Sequence, residues 1–144
     1  MTRVDFYILQ DVELTAMQRF ACRLACKAVD SGSQVYIHTT NEHLAEDFDE
    51  LLWAYPEQRF MPHGQHNKEA ASGAPVVIGW EEPEGHDDVL INLSDHVPTF
   101  FGRFERVAEI VVGETTNRGR ERYQFYRDRG YPLFDHHLDD WEAS

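Results

Sequence analysis

The strongest constraint on this chain is a pair of short, almost uninterrupted apolar runs, Val76-Val77-Ile78-Gly79-Trp80 and Val89-Leu90-Ile91-Asn92-Leu93. Strands that face water on one side alternate apolar and polar residues. Strands that read apolar throughout are covered on both faces, as in a parallel sheet between layers of helix. The rest of the chain supplies the cover. Val4 to Leu9 and Gln34 to His38 read as further strands, and Glu109 to Val112 as another. Between the first two, Met17, Phe20, Ala21, Leu24, Ala25 and Ala28 recur at helical spacing. Thr15 and Gln18 form a capping-box pattern at that helix's start, and Gly32 follows its end. Glu42 to Trp53 predicts a second amphipathic helix, Phe100 to Arg106 a short one, and Thr116 to Arg129 a last one, closed by Gly130 as a left-handed cap. Strands and helices mostly alternate. The expected fold is therefore one three-layer α/β/α domain over residues 1–144, with a largely parallel sheet. Pro62 to Ala74 and Glu81 to Asp88 read as surface loops, and the aromatic, acidic stretch after Tyr131 as a tail that either packs back or stays mobile.

Composition narrows the functional classes. Twenty-six acids against 13 Lys and Arg leave a formal charge of −13, which disfavours general binding to nucleic acid. No apolar run approaches the ~18–20 residues needed to span a bilayer. The N-terminal residues lack the apolar core of a secretory signal. Two cysteines are too few for a disulfide framework. The expected setting is the cytoplasm, with no membrane contact.

Motifs for chemistry are sparse. Neither G-x-x-x-x-G-K-[ST] nor G-x-G-x-x-G occurs, and the first strand runs into Gln10-Asp11-Val12-Glu13, whose acids would repel phosphate. Cys22 and Cys26 share a helix face with Phe20, Ala21, Leu24 and Ala25, the setting of buried packing rather than of a redox or metal pair. His63 with His66, and His136-His137 near Asp135, Asp139 and Asp140, are the only candidate metal ligands of note. They lack the spacing of a zinc site. No G-x-S-x-G or comparable nucleophile motif is present. Neither a cofactor nor a catalytic residue is expected.

The distribution of charge says more than its total. Arg118, Arg120, Arg122, Arg127 and Arg129 lie within twelve positions beside only Glu121 and Asp128, so this segment carries +3 and the remainder −16. Arginine rather than lysine suits bidentate recognition of carboxylate or phosphate. On a helix, Arg120, Tyr123 and Arg127 share a face, with Gln124 beside them, while Arg122 and Phe125 point elsewhere. The plainer alternative is a solvated helix whose arginines pair with the chain's own acids. A second candidate surface runs from Leu51 to His63, where Trp53, Tyr55, Phe60, Met61 and Pro62 concentrate residue types common in interface cores. The alternative there is that Trp53 and Phe60 cap the domain's own core.

In order and spacing these residues resemble the chi subunit of bacterial DNA polymerase III holoenzyme. The resemblance rests on Phe6-Tyr7-Ile8-Leu9, Leu52-Trp53-Ala54, Phe60-x-Pro62-His63, Gly73-Ala74-Pro75-Val76 with Trp80, and Asp88 to Leu93. Its most specific part is Arg120-Glu121-Arg122-Tyr123-x-x-Tyr126-Arg127-x-x-Gly130-Tyr131. The resemblance implies a non-catalytic adaptor with a Rossmann-like fold lacking the phosphate loop. It implies two partners: the psi subunit, which tethers chi to the clamp loader, and the acidic C-terminal tail of single-stranded-DNA-binding protein. Carried over by position, the tail site would comprise Val111, Arg118, Arg120, Tyr123, Gln124 and Arg127, and the psi-facing surface Trp53, Phe60, Met61 and Pro62. Family members can carry Lys beside the tyrosine and at the helix start. Here Gln124 and about Thr116 stand there, so either the tail site is less positive or Arg118 substitutes. The chain is then expected to be one half of a heterodimer at the replisome. The rival readings are a small α/β hydrolase using His63 or His136, and a direct single-strand binder acting through the Arg118 to Arg129 helix.

Overall fold

Seven strands form one sheet in the order β3-β4-β2-β5-β6-β1-β7, and every neighbouring pair is parallel. This computed structural model describes residues 1–54, 63–65 and 74–142, with backbone only at 53 and 63–65. The strands are β1 (Arg3–Leu9), β2 (Val35–His38), β3 (His63–Gln65), β4 (Val76–Gly79), β5 (Val89–Asn92), β6 (Arg106–Val111) and β7 (Leu133–Leu138). The helices are α1 (Leu14–Asp30), α2 (Glu42–Ala54) and α3 (Thr116–Asp128).

The apolar runs behave as their composition requires: all four residues of β4 and all four of β5 are buried. Period-two alternation divides the core between the two faces of the sheet. Val35, Ile37, Val76, Ile78, Val89, Ile91, Ala108 and Ile110 meet α1 and α2 on one side. Val4, Phe6, Tyr36, Val77, Leu90 and Val107 meet Phe101, Phe104 and the Tyr126 ring of α3 on the other. Cys22 and Cys26 are buried in the first cluster and form no disulfide with each other. Burial, with Cys26 as neighbour, pushes the Cys22 thiol up to about 12, which makes it inert packing at neutral pH.

Three expectations differ from the fold. Helix α1 begins at Leu14 with Glu13 as N-cap and no side-chain cap, so Thr15 is inside the helix and makes no capping box. The early start follows from the preceding loop, where the Asp11 and Val12 carbonyls accept hydrogen bonds from Gly113 and Glu114 and so fix the chain's direction. The expected helix at Phe100 to Arg106 is a single 3-10 turn, Phe101–Arg103. Thr2 Oγ1 donates to the carbonyls of Gly102 and Phe104, and Arg106 already belongs to β6. His63–Gln65 pairs with β4 rather than lying in a loop. Of the two outcomes expected for the stretch after Tyr131, it packs back, adding β7 to the edge of the sheet alongside β1. By contrast, α2 starts at Glu42 with Asn41 Oδ1 accepting from Leu44 N, and α3 ends before Gly130 at φ +79°. Among the described residues no helix is long and apolar enough to cross a membrane.

Candidate peptide-binding face of the arginine helix

Helix α3 turns Gly119, Arg122 and Tyr126 toward the sheet and leaves Arg120, Gln124 and Arg127 in solvent. Tyr123 lies on the flank between them, half-buried, with its ring 5.2 Å from that of Phe6. Gly119 brings the helix close to the sheet: a Cβ there would stand 2.8 Å from Cγ2 of Val111. Val111, at the end of β6, therefore sits directly under the first turn of α3, one turn before Tyr123. Both border the same apolar cluster.

The five arginines divide into distinct roles. Arg122 is buried and donates to Glu109 Oε1 at 2.8 Å and to the Ser94 carbonyl at 2.5 Å. Tyr126 Oη and Asn92 Nδ2 donate to Glu109 Oε2 at 2.6 and 2.9 Å, and Asn92 Oδ1 accepts from the Ser94 hydroxyl. Burial and the neighbouring carboxylate both hold the Tyr126 phenol protonated. Arg129 folds back, its guanidinium 3.6 Å from the Phe125 ring centroid and hydrogen-bonded to the Phe125 carbonyl. Arg118 is half-buried on the opposite flank of α3 from Tyr123. Burial and the nearby Arg122 lower its pKa against the pull of Glu109 and Asp95. Arg120 makes no ion pair among the described residues, and Arg127 only a 4.0 Å approach to its neighbour Asp128.

Thus the structure brings Val111, Arg120, Tyr123, Gln124 and Arg127 together along one side of α3 and places Arg118 apart from them. Thr116 is occupied locally, its hydroxyl donating to the Gly113 carbonyl. The buried Glu109, Asn92 and Ser94 that hold Arg122 were missed by sequence reasoning. The only signal for Glu109 was an acid standing in an otherwise apolar strand. Of the second surface, Trp53 lies in the last turn of α2, while its side chain and Phe60, Met61 and Pro62 fall outside the described residues. His63 contributes backbone to β3, and His66 is also outside them. His136 stacks on Tyr7 at 4.8 Å and hydrogen-bonds Asp5. Among the described residues no group of three His, Cys, Asp or Glu side chains is placed to hold a metal ion.

Residues 1–134 match the family model described as DNA polymerase III chi subunit, HolC. The chain is 45% identical over 141 residues to the DNA polymerase III subunit chi of Pseudomonas aeruginosa, covering 96% of this chain and 98% of that one. It is 33% identical to the subunit of that name from Escherichia coli, covering 92% and 96%, and 30% identical to that of Haemophilus influenzae, covering 90% and 92%. Together, the near full-length matches and the parallel sheet with its arginine helix establish that this chain belongs to the DNA polymerase III chi subunit family.

Proposed function

We propose that this chain is a non-catalytic adaptor in replication, whose α3 face holds the acidic C-terminal tail of single-stranded-DNA-binding protein and whose Trp53 and Phe60 to Pro62 surface holds psi. The observation that supports the tail site is the unspent charge of α3. Of five clustered arginines, Arg120 and Arg127 are exposed and, unlike the exposed Arg129, not folded back onto a ring; they flank Tyr123 and the Val111 side chain. They stand seven residues apart, about 10 Å along the helix axis. An acidic peptide ending in an apolar residue and a free carboxylate offers what this face accepts: carboxylates for the two guanidinium forks and a ring or aliphatic group against Tyr123 and Val111. Each charge-assisted bond contributes ~1.5–3 kcal/mol before ordering costs. A few of them give roughly micromolar affinity, about −8 kcal/mol. Such a contact can form and break at a moving fork. Gln124 adds hydrogen-bonding capacity without charge, so ionic attraction rests on Arg120 and Arg127.

The test is calorimetric titration of the full chain with a synthetic tail peptide. Arg120→Ala and Arg127→Ala are each expected to weaken binding about tenfold, roughly 1.4 kcal/mol, with thermal unfolding unchanged. Unchanged affinity in both variants would overturn the assignment of this face. Phe60→Ala, in the same assay, is expected to keep the peptide and to lose co-purification with psi.

A further inference from the structure

A second feature of the molecule lies on the opposite face of the sheet from α3. A cavity of about 560 Å³ opens between the C-terminal half of α1 and strands β5, β6, β1 and β7. That volume is in the range of small-molecule sites. In a chain of net charge −13, its lining holds three permanent cations, Arg23, Lys27 and Arg106, against one carboxylate, Asp5. The carboxylate is already committed. It is 2% exposed and accepts from Arg3 Nη2 and His136 Nε2, each at 2.9 Å, with Arg106 Nη2 at 3.3 Å. Arg106 spends a single long contact on it and remains 49% exposed. The cavity thus presents positive charge to anything that enters.

Its walls are aromatic. Tyr7 and His136 stack face to face on each other at 4.8 Å and 16°, and the imidazole side chain stays 35% exposed. Trp141 closes the other side, set edge-on against Phe20 at 5.2 Å. The closing segment is held in place: Trp141 Nε1 donates to Asp11 at 2.9 Å, and Arg19 grips Glu142 through two hydrogen bonds. His136, Trp141 and Glu142 all follow residue 134, where the family match ends. The site runs along the sheet from Ser31, Ser33 and Val89 at the strands' N-terminal ends to Leu138 and Trp141 at and beyond the C-terminal end of β7.

We propose that this cavity binds a mononucleotide, its phosphate at Arg23, Lys27 and Arg106 and its base against the rings of Tyr7, His136 and Trp141. Three cations suit a phosphate dianion better than a lone carboxylate. Facing rings suit a flat base better than an aliphatic body. A neutral apolar ligand would have to strip water from the exposed Lys27 and Arg106 without compensating either charge.

The full chain, titrated with AMP, inorganic phosphate or adenosine in separate arms and followed by amide chemical shifts, provides the test. AMP is expected to bind saturably, at least roughly tenfold tighter than either fragment, with shifts confined to α1, β1 and β7. The exposed charge reversal Lys27→Glu combined with Arg23→Glu should weaken AMP at least tenfold. Trp141→Ala should reduce AMP binding to the level of phosphate alone. Failure to saturate below about 5 mM overturns the proposal. So do phosphate binding as well as AMP (an adventitious anion only), shifts on α3 instead, or indifference to the charge reversal. A variant with lowered melting temperature is replaced by Lys27→Gln, for which a weaker but measurable loss is expected and none would count against the site.

Discussion

Arginine chemistry depends on what surrounds each guanidinium, and α3 shows the range within a few turns. Arg122 neutralises Glu109 inside the core, so Arg122→Ala leaves an unpaired carboxylate with Tyr126 and Asn92 as its only donors among the described residues. Breaking one side of a buried pair typically costs about 3–5 kcal/mol. That loss is expected in urea unfolding of Arg122→Ala, against under about 0.5 kcal/mol for the exposed Arg120→Ala. Equal effects would mean that Glu109 relaxes toward water. His38 presents the complementary case of a buried base. It is 3% exposed, edge-on to Phe100, and its Nδ1 has no hydrogen-bond partner among the described residues. Burial, reinforced by His96, lowers it to about 4. The unfolded chain takes up a proton near the ordinary 6.5, while the folded chain resists until about 4. Stability from this group is therefore complete above pH 6.5 and falls as pH drops toward 4, by about 3 kcal/mol at most. His38→Gln should flatten the unfolding free energy across that window, and an unaltered slope would assign the acid sensitivity elsewhere.

Among the elements, legibility followed covering. Strands β4 and β5 are buried on both faces, so their apolar runs announced them. Strand β7 has one neighbour and a half-exposed face, and its Leu-Phe-Asp-His-His-Leu carries no clean period. What docks it is specific: Pro132's carbonyl accepts from Val4 N, and His136 reaches Asp5 across the strand pair. Such pairings are long-range and leave no mark in local pattern. The same holds for α1, whose start is set by a contact with residues a hundred positions later rather than by Thr15. The α3 face was legible because helical spacing alone sorts Arg120, Tyr123 and Arg127 from Arg122. Its closeness to the sheet was not. That closeness depends on Gly119, and Gly119→Ala would drive a methyl to 2.8 Å from Cγ2 of Val111. The expected cost is about 1–3 kcal/mol, as for other overpacked cores, together with weakened tail-peptide binding as Tyr123 and Val111 separate. Combining it with Val111→Ala should recover part of the stability, because the clashing methyls are then gone. Additive losses in the double variant would show that the helix does not meet β6 there.

For the whole molecule, the charge map decides how it can approach DNA. The chain outside the Arg118 to Arg129 segment carries −16, and inside that segment Arg122 is neutralised by Glu109, so the outward positive charge is a narrow ridge. A strand of nucleic acid extends well beyond such a ridge. Most of its phosphates would face acids within a Debye length of about 8 Å at physiological salt. Affinity for a strand grows with the number of phosphates neutralised, and here that number is small. A short acidic peptide fits on the ridge and need not meet the rest of the surface. The isolated chain is therefore expected to leave a labelled oligo-dT strand unshifted at about 150 mM salt, well below the phosphate contacts of a dedicated binder. It should join the strand once single-stranded-DNA-binding protein is added, and Arg120→Ala with Arg127→Ala should abolish that recruitment. Micromolar binding of the bare strand by the isolated chain would reverse the conclusion and make α3 a nucleic-acid surface.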